Sequence, residues 1–139
     1  MRVSEVMSTP TIAVTPAATA DEAAAVMTAN GVTTLPVVDQ QGKLLGLLTE
    51  EDIIRTRYLS DPRSQFDADS GVLLRGHAKV GSLLREACGT RPDTELAELA
   101  ARMVELRMRS VPVLDGDHVI GMVTWRDLLR ALADNPQGS

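Results

Sequence analysis

Two stretches of the chain carry the same trio of chemically useful groups. "GLLTEED" at residues 46–52 and "GMVTWRD" at 121–127 each place a Gly, a Thr and an Asp at the same spacing, giving Thr49 with Asp52 and Thr124 with Asp127. An ionised Asp offers two acceptor oxygens, which match the cis 2'- and 3'-hydroxyls of a ribose. Dinucleotide-binding folds use an acidic residue on ribose for the same reason. The free N–H groups of a helix start, together with a Thr hydroxyl, can bind phosphate, so a nucleoside phosphate would satisfy the whole set. The same spacing is equally a helix-capping box, in which Thr caps the first N–H groups and Asp sits at the positive end of the helix dipole. Both readings stand at this point.

The elements that must position these groups are written twice. "LPVVD" at 35–39 matches "VPVLD" at 111–115, with Pro36 over Pro112, an offset of 76. The match runs upstream through Pro16, Glu22, Ala24 and Met27 onto Pro92, Glu98, Ala100 and Met103. Each copy predicts a short extended piece ("TIAV"; "CGT"), then a helix, two short strands joined by a Gly-containing turn (Gly42; Gly116), and a second helix. The first helix opens on a capping box, Thr19-x-x-Glu22, and stops at Asn30-Gly31. Its counterpart carries Leu96, Leu99, Met103 and Leu106 at helical spacing. The second helices are expected over Glu50 to about Leu59 and Trp125 to about Ala133. A unit of about 60 residues buries only about 60% of its unfolded surface, so the two copies are expected to share a core. The boundaries are repeat 1 over 1–59, a connector over 60–79, whose "VLL" could dock on the core, repeat 2 over 80–134 and a tail over 135–139.

Composition removes several classes of function. Aromatic residues are one Trp, one Tyr and one Phe, and the formal net charge is -5. Nucleic acid is therefore not an expected partner, since backbone affinity and base stacking need clustered cations and aromatic platforms. No apolar run reaches the roughly 20 residues of a membrane span, and the opening "MRVSEVMSTP" lacks the apolar core of a signal peptide. With a single cysteine, Cys88, the chain reads as cytoplasmic. Catalysis is not expected, since no nucleophile with a base, metal cluster or paired-carboxylate site is visible. His77 and His118 read as surface side chains, and Cys88 as a buried structural thiol.

The opening "VSEVM", the paired "LPVVD" and "VPVLD" strands and the two Gly-x-x-Thr-x-x-Asp ends together resemble tandem cystathionine-beta-synthase-type (CBS) domains, which pair into a Bateman module. The resemblance covers the chain from "VSEVM" to "LLRAL". It implies an α/β (α+β) fold of two strand-helix-strand-strand-helix repeats packed with pseudo-two-fold symmetry. It also implies a stand-alone, non-catalytic sensor that requires no cofactor and binds an adenosine nucleotide between the repeats. AMP, ADP and ATP head the candidates, with S-adenosylmethionine or an NAD-type dinucleotide also able to offer a ribose to Asp.

In that family a basic residue three places before the repeat proline often contacts phosphate. Here the second repeat has Arg109 and the first Thr33, and only Arg109 can grip phosphate in a bidentate manner. The favoured cleft is therefore Arg109, Met122, Thr124 and Asp127, with Ile12, Val32 and Thr33 around the adenine by analogy. The second cleft would use Leu47, Thr49 and Asp52 with Cys88 and Met108. The resemblance further implies a homodimer and a regulated protein partner. The alternative is a structural homodimer module that binds no ligand, its Thr-x-x-Asp groups acting only as caps.

Overall fold

The structure is a computed structural model that describes residues 1–9, 11–59 and 78–134. His77, the "VLL" of the connector, most of the 60–79 connector and the 135–139 tail lie outside the described residues. In chain order the elements are α1 (Ala20–Asn30), β1 (Thr34–Val38), β2 (Leu44–Thr49), α2 (Glu50–Ile54), α3 (Leu96–Glu105), β3 (Ser110–Asp115), β4 (His118–Thr124) and α4 (Trp125–Asp134). Short 3-10 turns at Val3–Glu5 and Val80–Ser82 precede the two sets, and a π-helical turn, Arg55–Leu59, continues α2. The architecture is α+β, with two two-stranded sheets, β1-β2 and β3-β4.

Local chemistry explains most element ends. The Thr19 hydroxyl accepts from Glu22 N at 3.1 Å while the Glu22 carboxylate accepts from Thr19 N at 3.1 Å, so the expected capping box opens α1. Gly31 ends it with φ +64, the left-handed conformation that lacks a steric penalty only in glycine. In α3, Leu96, Leu99 and Met103 are buried, but Leu106 lies past the last helical residue and is exposed. The expected leading strands shrink to one parallel bridge each, Val14 to Val37 and Thr90 to Val113.

The compact units do not follow the repeat boundaries. One contains residues 1–12, 41–44 and 87–139, and the other 13–40 and 45–86. The opening turn of the chain thus belongs with the second repeat. Val3 is fully buried in a cluster with Leu96, Leu99, Met103, Val111, Val113 and Val123. Backbone hydrogen bonds fix it there, from Val3 N to Thr94 O at 2.9 Å, Ser4 N to Pro92 O at 2.9 Å and Leu96 N to Met1 O at 2.9 Å. In the other unit Val80 N donates to Ala18 O at 2.8 Å, Gly81 N to Pro16 O at 3.1 Å and Ala20 N to Ala78 O at 2.8 Å. These are the same bonds at equivalent positions, and Val80 is again fully buried, as are Leu35, Val37 and Leu48 of its unit. Each half-core is completed by a turn that precedes the other repeat in sequence.

Because the repeats share one local geometry, each indicates where the other is suboptimal. Arg107 takes the place of Gly31 and is held at φ 54. A side chain there costs about 1–2 kcal/mol, against about 0.5–1 kcal/mol for the flexibility of glycine. Arg107→Gly is therefore expected to stabilise the protein by about 0.5–1 kcal/mol in urea unfolding. Thr90 takes the place of Val14; it is 4% exposed and its hydroxyl has no hydrogen-bond partner. Thr90→Val removes an unsatisfied buried hydroxyl at constant shape, and is expected to raise stability by about 1 kcal/mol in the same assay.

Candidate functional site

Both Thr-x-x-Asp groups form complete capping boxes. At α4, Asp127 Oδ2 accepts from Thr124 N at 2.8 Å and Thr124 Oγ1 at 3.1 Å, while Asp127 N donates back to Thr124 Oγ1 at 3.3 Å. At α2, Asp52 Oδ2 accepts from Thr49 N at 3.2 Å and Thr49 Oγ1 at 2.8 Å, and Asp52 N donates to Thr49 Oγ1 at 3.2 Å. The first helical N–H groups are also engaged. Trp125 N donates to Arg109 O at 3.2 Å and Glu50 N to Thr33 O at 2.9 Å. Two of the first three helical N–H groups are thus used at each end, leaving fewer free donors than the open helix start expected from the sequence for a phosphate.

The remaining carboxylate oxygens are reached by residues that sequence reasoning missed. Ser8 Oγ donates to Asp127 Oδ1 at 2.8 Å, and Arg130 Nη1 lies 3.4 Å from the same oxygen. At the other site Arg85 Nε donates to Asp52 Oδ1 at 2.8 Å and Oδ2 at 3.0 Å, and its Nη2 lies 2.7 Å from Oδ1. Arg85 Nη2 also meets Glu51 Oε2 at 2.9 Å, which Arg55 Nε contacts at 3.2 Å. Ser8 and Arg85 are equivalent positions. Ser8 pairs with Met122 on β4 through Ser8 N to Met122 O (2.8 Å) and Met122 N to Ser8 O (3.2 Å); Arg85 pairs with Leu47 on β2 through bonds of 2.7 and 2.8 Å.

The glycines that open the two motifs make this approach possible. A Cβ on Gly121 would meet Met7 Sδ at 2.7 Å, and one on Gly46 would meet Leu84 Cδ1 at 2.6 Å and the Arg85 carbonyl. The only sequence signal for these partners is the apolar spacing shared by Val3, Val6 and Met7 with Val80, Leu83 and Leu84.

The predicted site residues fall as follows. Arg109, Met122, Thr124, Asp127 and Ile12 belong to the unit of the second repeat, as do Cys88 and Met108; Val32, Thr33, Leu47, Thr49 and Asp52 belong to the other. Asp127 is 3% exposed and Met122 is buried, whereas Arg109 is exposed. Val32 and Thr33 line a groove of about 410 Å³ with Met27, Thr28, Glu50 and Ile53. Met108 packs against the core that contains Val3. Cys88 is exposed, contrary to the expectation of a buried thiol, because the bridge at Thr90 leaves it outside the paired segment. His118 is exposed and its Nδ1 lies 3.0 Å from Asp117. Among the described residues no group of three His, Cys, Asp or Glu is placed to hold a metal ion, and no helix is long and apolar enough to cross a membrane.

Burial alone would raise the Asp52 carboxyl, but hydrogen bonds from Arg85 and then Thr49 outweigh it and hold the group below the ordinary aspartate value of 3.8. A depressed folded value stabilises the fold fully above the unfolded value and is lost as the pH falls through the folded one. Comparing wild type with Arg85→Ser in urea, the stability difference is expected to stay constant from about pH 7 to 5 and to shrink below about pH 4.

Comparison with known proteins finds relatives of the same fold. A CBS domain model matches residues 3–58 and 90–134. An uncharacterized 17.7 kDa protein of Acidianus ambivalens is 30% identical over 134 residues, covering 96% of this chain and 74% of its own length. CBSX2, solved in complex with AMP, aligns with a TM-score of 0.79 at 25% identity over 96% of this chain and 97% of that one. The CBS domain pair of protein MJ0100, solved with 5'-methylthioadenosine and S-adenosyl-L-methionine, gives a TM-score of 0.77 at 25% identity over 95% and 99%. Other curated relatives are longer: the chain spans 57% of the CBS domain-containing protein CBSX1 of Arabidopsis thaliana and 20% of the homoserine O-acetyltransferase of Methanohalobium evestigatum.

Proposed function

The chain belongs to the CBS domain family, and from that premise we propose that it is a non-catalytic regulatory module whose ligand is an adenosine nucleotide of the AMP, ADP or ATP class. S-adenosylmethionine and NAD-type dinucleotides share the ribose and belong to the same set. The observation that carries this reading is that two CBS proteins of the same fold, each 25% identical over nearly the whole chain, were solved with adenosine compounds. Asp127, Thr124 and the exposed Arg109 supply the matching chemistry: a carboxylate for the ribose, a hydroxyl and a cation for the phosphate. A homodimer is supported by the exposed apolar stripe of Trp125, Leu129 and Leu132 along α4. A regulated protein partner and a cytoplasmic setting, which suits a single cysteine, complete the proposal.

The structural alternative has its own support, since both capping boxes are complete and the Asp127 side chain is 2% exposed. Ligand-dependent melting separates the two. At 100 times its Kd a nucleotide adds about 2.7 kcal/mol, roughly 10 °C for a chain of this size. The expected result is a shift of that order with at least one of AMP, ADP, ATP, S-adenosylmethionine and NAD, lost in Asp127→Asn. A wild type unmoved by all five, with a lower ligand-free midpoint in Asp127→Asn, leaves only the caps.

A further inference from the structure

The two Thr-x-x-Asp groups are built alike but are covered differently. Over Asp127 lies the hydroxyl of Ser8, at 2.8 Å. Over Asp52 lies the guanidinium of Arg85, in contact with both carboxylate oxygens at 2.7 to 3.0 Å. A ribose hydroxyl that takes Oδ1 of Asp127 replaces the neutral O–H of Ser8, which can turn away by rotation about a single bond; the cation on that oxygen, Arg130, is a single long contact of 3.4 Å from an exposed side chain. A ribose at Asp52 must instead trade a two-point, charge-assisted pair for two neutral donors, which are roughly half as strong. It also leaves a carboxylate that is only 11% exposed without its counter-cation.

The neighbouring charges act in the same direction. The first turn of α2 is Glu50, Glu51 and Asp52, all acidic, and Glu51 holds the second arm of Arg85 at 2.9 Å. The first turn of α4 is Trp125, Arg126 and Asp127, so an Arg stands where Glu51 stands. Arg55 and Arg130 occupy equivalent positions, so the difference is three carboxylates at the first turn against one at the second, with Arg126 in place of Glu51 and Arg109 in place of Thr33 making the second the more favourable for a phosphate.

We propose that Arg85 and Glu51 close the Asp52 group to nucleotide, so that the chain binds a single adenosine ligand, through Asp127. This rests on the nucleotide-binding reading above. Arg85 is here a specificity-determining residue: it sets how many ligands the protein takes, and Asp52 is an ion-pair anchor that fixes the segment of Arg85 against β2.

The test is calorimetric titration of the full chain with AMP, and in a parallel series with S-adenosylmethionine, for wild type, Arg85→Ser and Ser8→Arg. Circular dichroism confirms that each variant is folded. Arg85→Ser installs the residue found at the equivalent Ser8. The expected result is one equivalent for wild type, two for Arg85→Ser with the added equivalent at least tenfold tighter than any residual second binding in wild type, and none for Ser8→Arg. Two equivalents of similar affinity in wild type overturn the proposal, as does Arg85→Ser remaining at one. Weaker binding in Arg85→Ser overturns it too, because Arg85 would then be a phosphate ligand and not a block. Unequal counts that fail to follow Arg85 sink this inference alone, whereas no binding by any of the three proteins sinks the nucleotide reading together with it.

Discussion

The burial of Val3 and Val80 is the interaction on which the rest of the structure depends. A strand-helix-strand-strand-helix unit of this size has a sheet of only two strands, and one face of it must be covered to form a core. Beside the helix of the same repeat, the cover is completed by a short turn that stands ahead of the other repeat in sequence. The turn is held by backbone hydrogen bonds that hardly depend on side-chain identity, so Val is retained at both positions while Ser4, Glu5 and Met7 become Gly81, Ser82 and Leu84. The same pairing carries Ser8 alongside β4 and Arg85 alongside β2. Packing therefore determines which side chains reach the two carboxylates, and the difference between them is a by-product of how each half-core is closed.

What could be read from the sequence was what neighbouring residues decide. The Thr19 and Glu22 box, the left-handed stop at Gly31, the paired strands around Pro36 and Pro112, and the caps at Thr49 and Thr124 all involve residues within a few positions of one another, and each leaves a side-chain signature. The membership of the opening turns did not show, because its bonds join Val3 to Thr94 and Ser8 to Met122 through main-chain atoms. Apart from the two valines, the two opening turns share only apolar character. The leading strands were overestimated for a related reason: "TIAV" has strand-like residues, but a single bridge is all that its neighbour offers.

The candidate site divides along the same line. The Thr-x-x-Asp spacing was visible, together with its double meaning as cap and as ligand acceptor. Its second partners were not, because Ser8 lies 119 residues from Asp127 and Arg85 lies 33 from Asp52. The resulting picture differs from a pair of equivalent sites. A repeat preserves backbone geometry first, and the residue at one borrowed position, Ser8 or Arg85, decides whether the carboxylate meets a hydroxyl or a close two-point ion pair. Duplication supplies two frames and leaves each free to take a different role.

The crossed ownership of the opening turns also governs how the chain can be divided. A break placed in the segment between the repeats yields two pieces, each starting with the turn that the other needs: the first holds Val3 without Leu99 and Met103 to bury it, and the second holds Val80 without Ala18 and Leu47 to anchor it. Neither piece has its full core by itself, and each carries the turn that the other lacks. Fragment complementation, in place of autonomous folding of the halves, is thus written into the topology, and a fusion joined to the first residue is felt by the second repeat before the first.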